Sequence, residues 1–168
     1  MLIAAGAVLA LSACGNQDAF PPPCPSVALL GDAGDLTRYA GAGRDVTDLA
    51  LAARITAVQG SCARSGASIV RATVTVLADV ARGPAMTGRT VNVPYFVAVT
   101  ENGRILDKHE FVATVDFPPN VTRVAFTGPE ITSDLAVTSE KNASVYKIFI
   151  GFSLTAEELA YNRKLAGG

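Results

Sequence analysis

The sequence predicts a mostly β domain: an antiparallel immunoglobulin-like β-sandwich of six to seven strands closed by a short C-terminal α-helix. Three observations predict it. Apolar residues recur with a period of two from Asp45 onward. Clusters of Gly, Pro and Asn break that alternation into strand-sized pieces. Only the last stretch of the chain carries the start and stop signals of a helix.

In the first long strand, Leu49, Leu51, Ala53, Ile55 and Ala57 share one face, with Asp48, Arg54 and Thr56 on the other. In the second, Val70, Ala72, Val74, Val76, Ala78 and Val80 alternate with Arg71, Thr73, Thr75 and Asp79, until Arg82-Gly83-Pro84 stops the run. Residues 90–100 read as a third strand, where Pro94 implies an edge or a bulge. Asn102-Gly103 then suits a two-residue type I′ turn, because both central positions need positive φ. That hairpin sets Glu101 against Arg104 and Phe96 against His109. Shorter strands are expected at 121–126 and 145–152, the latter with Tyr146, Ile148, Ile150 and Phe152 in alternation. Thr155 with Glu158 forms a capping box for the closing helix, and Leu154 with Leu159 a hydrophobic staple. Arg163 and Lys164 favour the negative end of its dipole, and Gly167 ends it. The earlier segment Asp32–Tyr39 is expected to hold a single helical turn.

Composition limits the function classes. Apolar residues make up 49% of the 168 and charged ones only 17%, the balance of a folded globular chain. Fourteen basic and 15 acidic residues give a net charge of −1, and the basic ones are scattered singly. Such a chain offers nothing to a phosphate backbone, so nucleic acid is not an expected partner.

The N-terminus reads as an address. Residues 1–11 are apolar or small, too few to cross a bilayer, which takes about 20, but sized for a signal peptide. Leu11-Ser12-Ala13-Cys14 follows and resembles the lipobox of bacterial lipoprotein precursors. The resemblance implies cleavage before Cys14, a diacylglycerol on its sulfur and anchoring by two or three acyl chains. No charge precedes Asp18, whereas precursors of this kind normally begin with Lys or Arg; a start upstream of Met1 accounts for that. Gly15, rather than Asp, after the lipidated position implies the outer membrane in diderm bacteria. The expected organisation is a signal peptide at 1–13, a lipidated, Pro-rich tether at 14–23 and a sandwich domain at 24–168. The tether, with Pro21-Pro22-Pro23, reaches at most about 28 Å at a polyproline rise.

With Cys14 assigned to lipid, Cys24 and Cys62 remain. In an oxidising envelope they most simply form one disulfide. A redox pair lacks the CxxC spacing, and a single His cannot complete a zinc site with two cysteines.

Candidate chemistry is sparse. His109, the one histidine, lies in Asp107-Lys108-His109-Glu110, where a strand would put Asp107 on its side and Lys108 and Glu110 on the other. No Gly-x-Ser-x-Gly elbow supplies a nucleophile for it. A surface or half-buried strand histidine is the simpler reading. Glu101, Glu110, Glu130, Glu140, Glu157 and Glu158 are too dispersed to form a carboxylate pair by sequence. Asp32, Asp35, Asp45 and Asp48 form an acidic stretch without the 12-residue calcium-loop pattern, and turn chemistry accounts for them equally well. Gly41-Ala42-Gly43-Arg44 precedes a strand rather than a helix, so it is no phosphate loop. No cofactor or metal is expected.

Several stretches of the mature chain also resemble a group of uncharacterised bacterial lipoproteins of unknown function. They include Cys24-Pro25-Ser26-Val27, Leu36-Thr37-Arg38-Tyr39, Pro94-Tyr95-Phe96-Val97-Ala98-Val99 and Leu154-Thr155-Ala156-Glu157-Glu158-Leu159. The resemblance implies compartment and fold and supplies no functional residues. The resulting expectation is a lipid-anchored, non-catalytic envelope lipoprotein that contacts another envelope protein. The alternatives are a periplasmic inhibitor or chaperone-like binding module, and a hydrolase using His109.

Overall fold

The computed structural model describes residues 23–167, so the leader and Cys14 lie outside the described residues. Among the described residues nine strands form two sheets, followed by one α-helix. The strands are Ser26–Leu29 (β1), Asp35–Tyr39 (β2), Leu49–Arg64 (β3), Ile69–Arg82 (β4), Thr90–Glu101 (β5), Arg104–Asp116 (β6), Arg123–Thr127 (β7), Ile131–Ala136 (β8) and Tyr146–Phe152 (β9). The helix is Ala156–Ala166 (α1). One sheet has the order β1-β9-β5-β6; the other runs β2-β3-β4, with β7 and β8 end to end along the free edge of β4. The β-sandwich with a C-terminal helix is therefore as expected. All pairings are antiparallel except β1 with β9. The immunoglobulin-like label is the finer part of the expectation, and this order, with a β2-β3-β4 meander, does not establish it.

Alternation builds the core. Every second residue of β4 from Val70 to Val80 is buried, which is what a central strand facing another sheet requires. Opposite it stand Val93, Tyr95 and Val97 of β5 and Ile148, Ile150 and Phe152 of β9. Tyr95 is 1% exposed, and its ring stacks on Phe111 with centroids 5.2 Å apart and tilts against Phe126 at 6.0 Å.

Two bulges correct the expected registers. Ile55 pairs with Ala78 but Ala57 with Leu77, so Thr56 is an extra residue on β3. Beyond it the facing parity changes: Ala57 turns outward, while Val58 and Cys62 are half-buried against the core. In the β5–β6 hairpin, Asn102 and Gly103 have φ of 50° and 79°, and Glu101 pairs with Arg104, as expected. Leu106 is then bulged out, so Phe96 lies opposite Glu110 and His109 opposite Val97, one residue from the expected pairing.

Pro94 also departs from expectation, because β5 is a central strand. The pairing of β9 ends at Tyr95 with Phe152, so Pro94 lies just beyond it, needs no N–H, and accepts a hydrogen bond from the Ser153 N–H at 2.9 Å. The segment around Asp32 splits into a 3₁₀ turn, Gly31–Ala33, and edge strand β2. That turn presses on β9 where Gly151 has no side chain: a Cβ there would stand 2.8 Å from the Ala33 Cβ.

Burial raises the Tyr95 hydroxyl above the ordinary tyrosine pKa near 10. The folded state keeps this proton after the unfolded chain has lost it, so its contribution is intact below about pH 10 and disappears as pH rises through the folded value. In urea titrations above pH 10, Tyr95→Phe is expected to lose stability less steeply with pH than the unsubstituted chain. Equal slopes would contradict this.

Candidate functional site

The expected site residues separate in space. The Sγ atoms of Cys24 and Cys62 form a disulfide with Cα atoms 5.8 Å apart. It joins the segment just before β1 in one sheet to β3 in the other. His109 lies on edge strand β6, half-exposed, with Nε2 2.7 Å from Asp107 Oδ2 and its ring tilted 6.4 Å from Phe111. Lys108 and Glu110 point to the opposite face and pair with each other at 2.7 Å. The side-sharing read from the sequence is therefore correct, and the neighbour is Val97 rather than Phe96.

The acidic stretch does not converge on a point. Asp45 and Asp48 form a capping box on the 3₁₀ turn Val46–Asp48. Asp32 accepts from Arg163 Nε at 3.0 Å, and Asp35 from Arg54 Nε at 2.6 Å. Among the described residues no three His, Cys, Asp or Glu side chains gather as a metal would require.

The feature that sequence reasoning missed is a basin of about 560 Å³ on the outer face of the β2-β3-β4 sheet, walled by the end of α1. Two cross-strand rows build its floor. Thr37, Ala52 and Ala81 pair in succession across β2, β3 and β4, and their small side chains leave the depression. The adjacent row is Asp35, Arg54 and Asp79, with Arg123 following Ala81 on β7. Charges thus alternate across four strands: Arg54 is held by Asp35, and Arg123 lies 3.8 Å from Asp79. The Asp35 hydrogen bond, and then its charge, raise the Arg54 guanidinium above its ordinary value. Asn162, Leu165 and Ala166 of α1 form the wall. A ligand entering meets both signs of charge on the rim and small residues beneath.

The wall is held mainly by polar contacts, which explains why the helix shows no strong apolar face. The Glu158 carboxylate is buried, closes the expected capping box with Thr155, and accepts from Arg38 Nε at 3.0 Å. Asn162 Nδ2 donates to the Asp32 and Asp35 carbonyls at 2.8 and 2.7 Å. Tyr39 and Tyr161 share a hydroxyl–hydroxyl bond of 3.0 Å, and Arg44 pairs with Glu157. Glu158→Ala removes a cap and a half-buried ion pair together, which should cost about 2 kcal/mol. Amide exchange is expected to show α1 opening well before the β4 core; uniform protection of both would contradict it.

The chain matches no protein-family model, no curated protein and no solved structure.

Proposed function

We propose that this chain is a lipid-anchored lipoprotein of the bacterial cell envelope whose β-sandwich acts by binding another envelope protein rather than by catalysis. The Cys24–Cys62 disulfide carries the reading. Structural disulfides persist in oxidising compartments, and this one accounts for two of three cysteines. Cys14 is left for the lipid that Leu11-Ser12-Ala13-Cys14 implies, at the membrane end of a short, Pro-rich tether. The outer membrane is the destination that Gly15 favours.

The basin beneath α1 is the proposed contact surface. Its rim carries three carboxylates and two guanidinium groups, those of Asp32, Asp35 and Asp79 with Arg54 and Arg123, and both signs together suit a polar protein surface better than a ligand of one charge. His109 supports the non-catalytic part, because its Nε2 lies 2.7 Å from Asp107 Oδ2 and both side chains are about half exposed, a solvated pair on a strand edge.

Cell fractionation tests the anchor. The native chain should sediment with membranes, and Cys14→Ser should move it to the soluble fraction. A native chain found free in the cytosol would overturn the proposal. A His109→Ala variant tested against a broad hydrolase panel checks the rest: turnover lost on substitution would defeat the binding reading.

A further inference from the structure

We infer that β6 is a self-association edge on which a second copy of this chain pairs antiparallel, about a two-fold axis through His109. β6 is the last strand of its sheet, and its only strand partner among the described residues is β5. The Phe117 N–H donates to the Arg89 carbonyl, so odd-numbered residues of β6 direct their backbone groups toward β5. The N–H and C=O groups of Lys108, Glu110, Val112 and Thr114 therefore face the open edge. Every residue from Arg104 to Glu110 is exposed, and Val112 is 62% exposed. A long edge of this kind is a template for another strand.

The side chains select the occupant. Antiparallel pairing joins outward-directed residues to outward-directed residues. With His109 on the two-fold axis, Lys108 meets the partner's Glu110 and Glu110 the partner's Lys108, extending the existing Lys108–Glu110 pair into four alternating charges. The same register brings Leu106, 43% exposed at its bulge, to the partner's Val112. Centring on Lys108 or on Glu110 opposes like charges. Centring on Val112 pairs Lys108 with Asp116, but Asp116 already accepts the Thr90 hydroxyl at 2.5 Å, and Glu110 would face Thr114. Self-complementary charge and apolar positions are what an isologous interface requires. The inference holds whether or not the chain carries a lipid.

The test uses the full chain in detergent, followed by sedimentation and by oxidative cross-linking. A concentration-dependent dimer is expected. Lys108→Glu should weaken it by at least about tenfold, and K108E/E110K, which restores the alternation, should recover it. On the axis the two His109 positions form a non-hydrogen-bonded pair with Cα atoms about 4.5 Å apart, within disulfide reach. His109→Cys should therefore give a covalent dimer and Val112→Cys should not. A chain that stays monomeric, a K108E variant that associates normally, or cross-linking at Val112→Cys but not at His109→Cys would overturn the pairing.

Discussion

The paired substitution C24S/C62S is expected to lower the unfolding free energy by about 4 kcal/mol, the chain-entropy value for a loop of this length. The bonded residues are 38 apart in sequence. The native structure gives a second reason for a large effect. β1 is a four-residue edge strand, the only parallel addition to its sheet, and its Val27 and Leu29 remain about 40% exposed. Little apolar burial holds it there, and the bridge ties the segment just before it to β3 in the opposite sheet. A domain stable by 5–15 kcal/mol in general would lose a large fraction of its margin. Urea titration of the oxidised chain and the double serine variant measures this directly. A difference under about 1 kcal/mol would mean that the strand is secured by contacts other than the disulfide.

Tyr95→Ala is expected to cost a comparable amount, about 4 kcal/mol, through lost apolar burial and the cavity left behind. The ring lies between the sheets, against Phe111 on β6 and Phe126 on β7, and so bridges the edge where the two sheets approach. Its hydroxyl end reaches the Gly128 backbone, where a Cβ would stand only 2.8 Å from the oxygen. Phe111→Ala should cost less, because Phe111 is half-buried on an edge strand. Thermal or urea unfolding of the two variants gives the order. A Tyr95→Ala loss no larger than that of Phe111→Ala would contradict the full burial of Tyr95 between the sheets.

The long strands were legible because β4 alternates from Val70 to Val80 and the first half of β3 does so from Leu51 to Ile55, and the type I′ turn because Asn102-Gly103 has few other backbone solutions. The capping box was legible for the same reason: Thr155 and Glu158 fill a fixed spacing. Three short strands were not. β1 and β2 are edges whose residues are mostly exposed or half-buried, and β8 buries only Ile131 and Leu135 around a half-buried Ser133. Their conformation is set by pairing with β9, β3 and β4, which local pattern cannot display. Neither bulge was legible, since an extra residue at Thr56 or Leu106 leaves the pattern plausible in either register. The basin followed from the same gap. Thr37 and Ala52 become neighbours only once β2 is placed beside β3, and Glu158, Tyr161 and Asn162 dock α1 through hydrogen bonds that hydropathy does not register. The disulfide was accessible from cysteine arithmetic because it needed only a compartment and a count.

The claim on which the functional account rests is that the mature chain starts at an acylated Cys14. Intact-mass and N-terminal peptide mass spectrometry of the protein isolated from bacterial membranes tests it most directly. The account predicts a first residue of Cys14 bearing diacylglycerol, with the peptides of Cys24 and Cys62 joined to each other. An unmodified Cys14 still preceded by Ala13 would contradict it.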